Sequence, residues 1–205
     1  IDMVDPADIV DLESITIRAE YIHETKFEDE AFDFIFSKTT LEHIPDIKKT
    51  FTEINRILKT GGGMFFTVPN CKREIEIGDQ RMLSLTHWNY FTEDNIKGIL
   101  ERFGFTDINI QSSPTGQDIH AYAVKSGKPS DLDFSSDSAD ITIDSFNEKL
   151  QKNLKYLQNR KDDASKANKT IGIWGLDYNL VSILDWKNLK PRMIDSDKQK
   201  WGFYY

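Results

Sequence analysis

The 205-residue sequence is short of cysteine, of long apolar runs and of positive charge, and each shortage excludes a class of protein. Its single cysteine, Cys71, excludes an internal disulfide framework and suits a reducing cytoplasm. No run of roughly 18 apolar residues occurs, so the sequence predicts no membrane-spanning helix. The formal net charge of -8 excludes a general binder of nucleic acid or anionic membranes, because both attract positively charged proteins. We therefore expect a cytoplasmic protein that binds neither nucleic acid nor membranes.

The sequence also lacks the compact motifs that indicate common chemistries. Its four histidines, His23, His43, His87 and His120, are too scattered to form a metal motif, and Cys71 has no partner at zinc-site spacing. No nucleophile elbow, phosphate-binding loop or zinc-protease motif occurs. The sequence therefore predicts no metal site.

What is present indicates an α/β fold. Hydrophobic residues make up 39% of the chain and aromatic residues 12%, which is sufficient for a packed core. Short apolar runs alternate with segments of helical period, the pattern of strand–helix–strand units. The clearest unit predicts a buried strand at 32–36, a helix at 47–58 and a second buried strand at 64–68. Asp46 is expected to cap the helix, and the three glycines at 61–63 to end it.

A second helix and a hairpin follow this unit. Thr92 is expected to cap a helix at 93–103. Strands are predicted at 107–111 and 119–125, and the short, turn-rich segment between them favours an antiparallel hairpin at the sheet edge.

A linker divides the chain. Residues 126–140 are rich in Ser, Asp, Gly and Pro, so we expect a first domain at 1–125 and a second at 141–205. The second domain is predicted to contain an amphipathic helix, a polar stretch at 160–169 and strands at 170–175 and 192–197. The inward face of that helix would carry Phe146, Leu150, Leu154 and Leu157.

Several short strings in the first domain occur in a characteristic order. They are FEDEAFDFIFS at 27–37, LEHIPD at 41–46, EINRILKTGG at 53–62 and VP at 68–69. In order and spacing they resemble the class I S-adenosylmethionine-dependent methyltransferases, and the resemblance extends over roughly residues 1–124. It implies a Rossmann-like sheet, mostly parallel with an antiparallel edge hairpin. It also implies S-adenosylmethionine as cofactor and a small molecule, with a sugar among the candidates, as methyl acceptor.

The resemblance also implies which acids would hold the adenosine part of the cofactor. A carboxylate accepts two hydrogen bonds from a ribose diol, and Asp5 is the best match for that acid, with Asp2 as the reserve. Glu24, near the end of the next predicted strand, would receive the adenine amino group. The alternative is that all three are ordinary surface acids.

Ser37, Lys38 and Thr39 follow a predicted buried strand, and ligands in open parallel sheets bind beyond the carboxyl ends of strands. In the family this place faces the methionine part of the cofactor. The next loop has two interpretations. Either its apolar residues pack while Glu42 and His43 face solvent, or the loop lies beside the cofactor, as the resemblance favours.

Two histidines are candidate catalytic bases, because the unperturbed histidine pKa of about 6.5 lies near working pH. His87 has the better claim, since its neighbours Trp88 and Tyr90 can exclude water from an acceptor. His43 is the second candidate. The alternative for His87 is a half-buried loop residue without a chemical role.

One element of the family pattern is absent. No glycine occurs before Gly61, whereas the family places a glycine-rich loop after its first strand so that the backbone can approach the cofactor. We expect that loop upstream of Ile1, in a longer protein of which this chain is an N-terminally truncated part. The chain alone is then expected to bind S-adenosylmethionine weakly or not at all. We also expect a homo-oligomer that covers exposed apolar faces and strand edges.

The second domain supports further alternatives. Residues 146–205 resemble part of the Rossmann-like C-terminal module of sugar C-methyltransferase-like proteins. The pattern IGIWG at 171–175 with Asp195 downstream also permits a NAD-dependent oxidoreductase built on Gly172 to Asp195, although the third glycine of that motif is missing. A non-catalytic α/β fragment that only packs or associates is the remaining alternative.

Overall fold

The computed structural model describes residues 2–4, 16–84, 86–130, 143–174 and 192–194. The chain forms two compact units, one of residues 1–72 with 85–139 and the other of residues 73–84 with 140–205. Residues 73–84 thus group with the second unit, which the sequence did not indicate. The predicted domain boundaries stay a prediction.

The strands described in the first unit are β1 (Asp2–Val4), β2 (Thr16–Arg18), β3 (Phe32–Lys38), β4 (Leu58–Pro69), β5 (Phe105–Ser112) and β6 (Asp118–Lys125). Four of them form a sheet in the order β3-β4-β6-β5. β3 and β4 are parallel, and β6 runs antiparallel to both β4 and β5, so β5 and β6 are the predicted hairpin with β5 at the edge. A separate parallel pair joins β1 to β2. This arrangement confirms the predicted α/β class.

Helix α1 (Ile47–Ile57) connects β3 to β4, and helix α3 (Glu93–Arg102) precedes the hairpin. Both predicted caps are confirmed. The Asp46 carboxylate accepts a 2.9 Å hydrogen bond from the Lys49 N–H, and the Thr92 hydroxyl accepts one from the Asn95 N–H. These bonds satisfy amide groups that the first helical turn leaves without a partner.

The expectation that the three glycines end helix α1 was wrong. The helix ends at Ile57, and Leu58 is already extended and opens β4, so the glycines lie inside the strand. Gly61 adopts a φ of +82°, where the register of β4 against β3 shifts. At Gly62 a Cβ atom would come within 2.9 Å of the Asp33 carbonyl oxygen. The glycines therefore allow the backbones of β3 and β4 to approach closely and allow the register between these strands to shift.

One face of the sheet is packed and the other is open. The packed face meets α1 and α3 in a core built from apolar side chains of both helices and of β4 to β6, including Phe51, Ile54, Met64, Phe66, Leu100 and Phe103. On the opposite face Phe34 and Phe36 are 51% and 62% exposed, and Phe36 stacks on Phe65 with ring centroids 5.5 Å apart. The expected homo-oligomer stays a prediction.

The second unit contains helix α4 (Ile143–Lys166) and the parallel strands β7 (Gly172–Trp174) and β8 (Arg192–Ile194). It also contains helix α2 (Cys71–Ile77) from Arg73 onward, whereas the first two residues of that helix belong to the first unit. The Asn153 amide donates to the carbonyl oxygens of Ile77 and Gly78, so it caps the end of α2. The sequence did not indicate α2.

The stretch 160–169 was expected to lie outside the helix, but α4 continues to Lys166. Its lysine, arginine, alanine and serine residues include good helix formers, so low hydrophobicity did not end the helix. Gly175 and Asp195, on which the dinucleotide interpretation depends, lie outside the described residues. In the part of the chain that the structure describes, no helix is long and apolar enough to cross a membrane.

Candidate functional site

The candidate site lies at the carboxyl ends of the parallel strands β3 and β4. After β3 the chain turns sharply at Thr39, whose φ of +46° is unusual for a residue with a side chain. The Thr39 N–H donates a 2.9 Å hydrogen bond to the Thr67 carbonyl near the end of β4. Ser37 is half-buried, whereas Lys38 and Thr39 are exposed. Of the three residues predicted to face the cofactor, Ser37 and Lys38 therefore end strand β3 and Thr39 makes the turn that follows, at the expected edge of the sheet.

Two loops that are distant in sequence are joined beside this turn. The backbone N–H groups of Trp88 and Asn89 donate to the Glu42 carbonyl over 2.7 and 3.1 Å. The Asn89 side-chain amide donates to the carbonyl oxygens of Leu41 and Ile44 over 3.1 and 2.6 Å. We refer to residues 41–44 and 86–89 as the paired loops, because these four bonds hold them together.

The paired loops place a nearly buried carboxylate at their junction. The Glu42 side chain is only 3% exposed, and its Oε2 atom has no hydrogen-bond partner among the described residues. Its Oε1 atom lies 3.7 Å from Nε2 of His43. Burial is the main cause that raises the pKa of the Glu42 carboxyl above its ordinary value.

His43 is oriented by the other loop. Its Nδ1 atom lies 3.0 Å from the Thr86 carbonyl oxygen. A carbonyl oxygen only accepts hydrogen bonds, so Nδ1 carries a hydrogen and Nε2 faces Glu42. The backbone of one loop thus fixes the ring of the other.

His87 completes the cluster. Its ring centroid lies 5.0 Å from that of His43, with the ring planes at 67°, and 6.1 Å from the ring of Tyr90. Burial chiefly, and then the charge of His43, lower the pKa of His87 below its ordinary value. A lowered pKa favours the neutral imidazole, which can accept a proton or bind a metal ion.

Glu42, His43 and His87 each offer one potential ligand atom, and these atoms all lie within 4.8 Å of one another. The sequence contained these histidines but gave no sign that they meet. The structure therefore brings the two predicted catalytic residues together and adds a carboxylate to them.

Glu24, predicted to hold the adenine, does not join this cluster. Asp5 lies outside the described residues. The preceding strand, β2, ends at Arg18, so Glu24 falls in a later helical turn at Ile22–Glu24. There its carboxylate accepts a 3.0 Å hydrogen bond from the Tyr21 N–H. The adenine and ribose roles stay predictions.

Two residues of this site were not predicted from the sequence. Glu42 was considered only as a solvated or cofactor-facing loop residue, yet it is buried between Leu41 and Ile44, which pack inward. Asn89 was not identified at all, although its side chain makes two hydrogen bonds between the paired loops. An asparagine in the aromatic segment 86–92 was the available signal, because such side chains often satisfy loop carbonyl groups.

Comparison with known proteins relates the region of this site to one family. Residues 1–110 match the family described as "Methyltransferase domain". A phosphoethanolamine N-methyltransferase of Caenorhabditis elegans is 30% identical over 122 residues, covering 50% of this chain and 28% of that protein. An uncharacterised Escherichia coli protein is 41% identical over 51 residues, which are 25% of each chain. The chain thus spans about a quarter of the length of these curated relatives.

Two solved structures illustrate the structural similarity. Phosphoethanolamine N-methyltransferase 2 of Haemonchus contortus, in complex with S-adenosyl-L-methionine, is 18% identical with a TM-score of 0.44, over 55% of this chain and 37% of that one. A SAM-dependent methyltransferase from Archaeoglobus fulgidus is 15% identical with a TM-score of 0.46, over 55% and 68% of the two chains.

Proposed function

The chain belongs to the methyltransferase-domain family, and from this premise we propose that the whole protein transfers a methyl group from S-adenosylmethionine to a small-molecule acceptor. One observation carries the proposal. The region that matches the family contains β3, β4 and the paired loops, and these loops gather a carboxylate and two imidazoles beyond the carboxyl ends of the strands. That edge of an open parallel sheet is where ligands bind.

The turn after β3 suits the methionine part of the cofactor. Lys38 and Thr39 are exposed, and the positive side chain of Lys38 matches a carboxylate such as that of methionine. When bound, the cofactor supplies an activated methyl group on a sulfonium. We propose that Ser37, Lys38 and Thr39 position it, with Asp5 at the ribose and Glu24 at the adenine.

Methyl transfer is an in-line displacement, so holding the acceptor in line does most of the work. A base is needed only where the acceptor must first lose a proton. We propose that His87 takes that proton, because its lowered pKa favours the neutral form. Trp88, which is 67% exposed, and Tyr90, 38% exposed, are available to cover an acceptor. His43, bonded to Thr86, is the second candidate for the base.

The acceptor is proposed to be a small polar molecule with an amine or a hydroxyl group. The name of the Caenorhabditis elegans relative points to an amine, phosphoethanolamine. An amine of that kind is protonated at neutral pH and needs a base before it attacks, which agrees with a histidine at the site. A sugar acceptor, as the resemblance of residues 146–205 suggests, is the alternative.

The proposal is tested by transfer of labelled methyl from S-adenosylmethionine. The whole protein is incubated with phosphoethanolamine, with a sugar nucleotide or with buffer alone, and labelled product is separated from cofactor. Labelling that requires an acceptor supports the proposal. If only one of the two acceptors is labelled, that result identifies the chemical class of the acceptor. No labelling by a protein that binds the cofactor, measured by calorimetry, would contradict it.

A separate binding measurement addresses the 205-residue chain. We expect it to bind S-adenosylmethionine weakly or not at all, because it has no glycine before Gly61. Micromolar binding, corresponding to roughly -8 kcal/mol, would show that another segment replaces the glycine-rich loop.

A further inference from the structure

The Glu42 carboxylate is buried without complete hydrogen bonding. Among the described residues, its Oε2 atom is fully shielded from solvent and has no partner. A buried polar atom without a partner is rare in folded proteins, because its lost hydration is not replaced. An ion that fills the site is one physical reason for such an exception.

The orientation of His43 points to the same conclusion. Its Nδ1–H donates to the Thr86 carbonyl, so Nε2 is the ring nitrogen that faces Glu42 Oε1, 3.7 Å away. In the neutral ring Nε2 carries a lone pair, and a cation bound between the two atoms would be attracted by both of them. Metal-binding histidines typically donate their other ring N–H to a backbone carbonyl in this way.

His87 supplies a third donor within reach. The potential ligand atoms of Glu42, His43 and His87 all lie within 4.8 Å of one another. In a tetrahedral site with bonds of about 2.0–2.2 Å, ligand atoms lie roughly 3.3–3.5 Å apart. The separations, at most 4.8 Å, must therefore shorten by no more than roughly 1.5 Å on binding, which rotation of an imidazole ring can provide.

We propose that Glu42, His43 and His87 form a binding site for a divalent transition-metal ion, with Zn²⁺ the best match. Two imidazole nitrogens and one carboxylate oxygen are ligands that Zn²⁺ prefers, whereas Mg²⁺ and Ca²⁺ prefer sites made of oxygen alone. Three protein ligands leave one coordination position open for water or a small ligand.

The paired loops arrange these ligands in advance. Both loops are tied through the Glu42 carbonyl and through the Asn89 side chain, and the Thr86 carbonyl holds the His43 ring, so the backbone that carries the three ligands is in place before an ion arrives. Such outer contacts sustain metal affinity because they limit the freedom of the ligands.

This inference does not depend on the proposed methyl transfer. A bound ion engages the lone pair of His87, so it prevents His87 from acting as a base. Zn²⁺ is therefore expected to inhibit the proposed reaction at concentrations that fill the site, and a chelator is expected to restore it.

The test is a titration of the chain, freed of metal by chelator, with Zn²⁺ and separately with Mg²⁺, followed by calorimetry. The expected result is one Zn²⁺ per chain with a dissociation constant of about 1 μM or tighter, and no measurable Mg²⁺ binding. Glu42→Gln and His87→Gln are each expected to weaken Zn²⁺ binding at least ~10-fold.

His120→Gln is the matched control, because His120 lies on β6 with its ring against Phe65 and outside the cluster. It should leave Zn²⁺ affinity unchanged. A Co²⁺ titration of the unmodified chain provides a readout that needs no variant, since a tetrahedral site gives intense visible absorption. Absence of Zn²⁺ binding, or equal loss of affinity in His120→Gln and Glu42→Gln, would overturn the proposal.

Discussion

The centroids of the His43 and His87 imidazole rings lie 5.0 Å apart, although the two residues belong to loops that follow different strands. The backbone carbonyl of Thr86 orients the first ring, and the residue after Thr86 carries the second. A short backbone segment therefore controls both side chains. Changes in the hydrogen bonds that hold this segment should affect the cluster without removing any member of it.

Asn89 is the first test of that relationship. Asn89→Ala removes two hydrogen bonds to the Leu41 and Ile44 carbonyl groups, so it should lower the free energy of unfolding by about 1–3 kcal/mol. It should also weaken Zn²⁺ binding at least ~10-fold, because ligands held less firmly bind less tightly. Urea denaturation and calorimetry measure the two effects. Asn109→Ala, at an exposed strand position, is the control and should change neither.

Gly62 tests the finding that the glycines belong to a strand. Gly62→Ala places a Cβ atom 2.9 Å from two backbone oxygens, those of Asp33 and Lys59, and should destabilise by about 1–3 kcal/mol. Gly98→Ala is the matched control in helix α3, where no atom of the described residues lies within 4 Å of the added Cβ, and should stabilise by roughly 0.5–1 kcal/mol. If both variants changed the free energy of unfolding by the same amount, the conclusion that Gly62 closely contacts neighbouring backbone oxygens would be wrong.

Asp46 provides a prediction of pH dependence. Hydrogen bonds from the backbone and then the side chain of Lys49 lower the pKa of Asp46 below 3.8 in the folded state. The ionised cap therefore contributes stability above pH 3.8, and that contribution is lost as the pH falls through the lower folded value. Asp46→Asn retains a cap but does not titrate. Its stability difference from the unmodified chain should disappear in strong acid.

The same position tests the cap itself. Asp46→Ala should lower the free energy of unfolding by about 1 kcal/mol at neutral pH, because the Lys49 N–H loses its acceptor. Thermal denaturation measures the change, and Asp46→Asn should fall between the alanine variant and the unmodified chain. An alanine variant as stable as the unmodified chain would contradict the capping bond.

Local patterns in the sequence were sufficient to predict most of the helices and strands around the core of the first unit. The positions of β3, α1, α3 and the hairpin follow from apolar periodicity and from caps such as Asp46 and Thr92. The predicted resemblance to methyltransferases is confirmed by the family match over residues 1–110. The predicted strand at 32–36 extends two residues further, through Ser37 and Lys38, and Thr39 makes the turn after it.

What the sequence could not indicate depends on contacts between distant residues. Glu42 looks like any acidic loop residue until the segment of Trp88 and Asn89 bonds to its backbone and covers it. The three glycines resemble a helix stop because local signals do not reveal the carbonyl groups of a neighbouring strand. Helix α4 extends through polar residues that apolar periodicity cannot detect.

The central claim is that the paired loops form the reaction site of a methyltransferase, and His87 tests it most directly. The measurement is the turnover of methyl transfer by the whole protein, with metal removed by chelator, for the unmodified form and for His87→Ala. The account predicts a fall of about 10²-fold or more in turnover with nearly unchanged affinity for S-adenosylmethionine. Turnover within about threefold of the unmodified protein, well short of the loss expected for a general base, would contradict it.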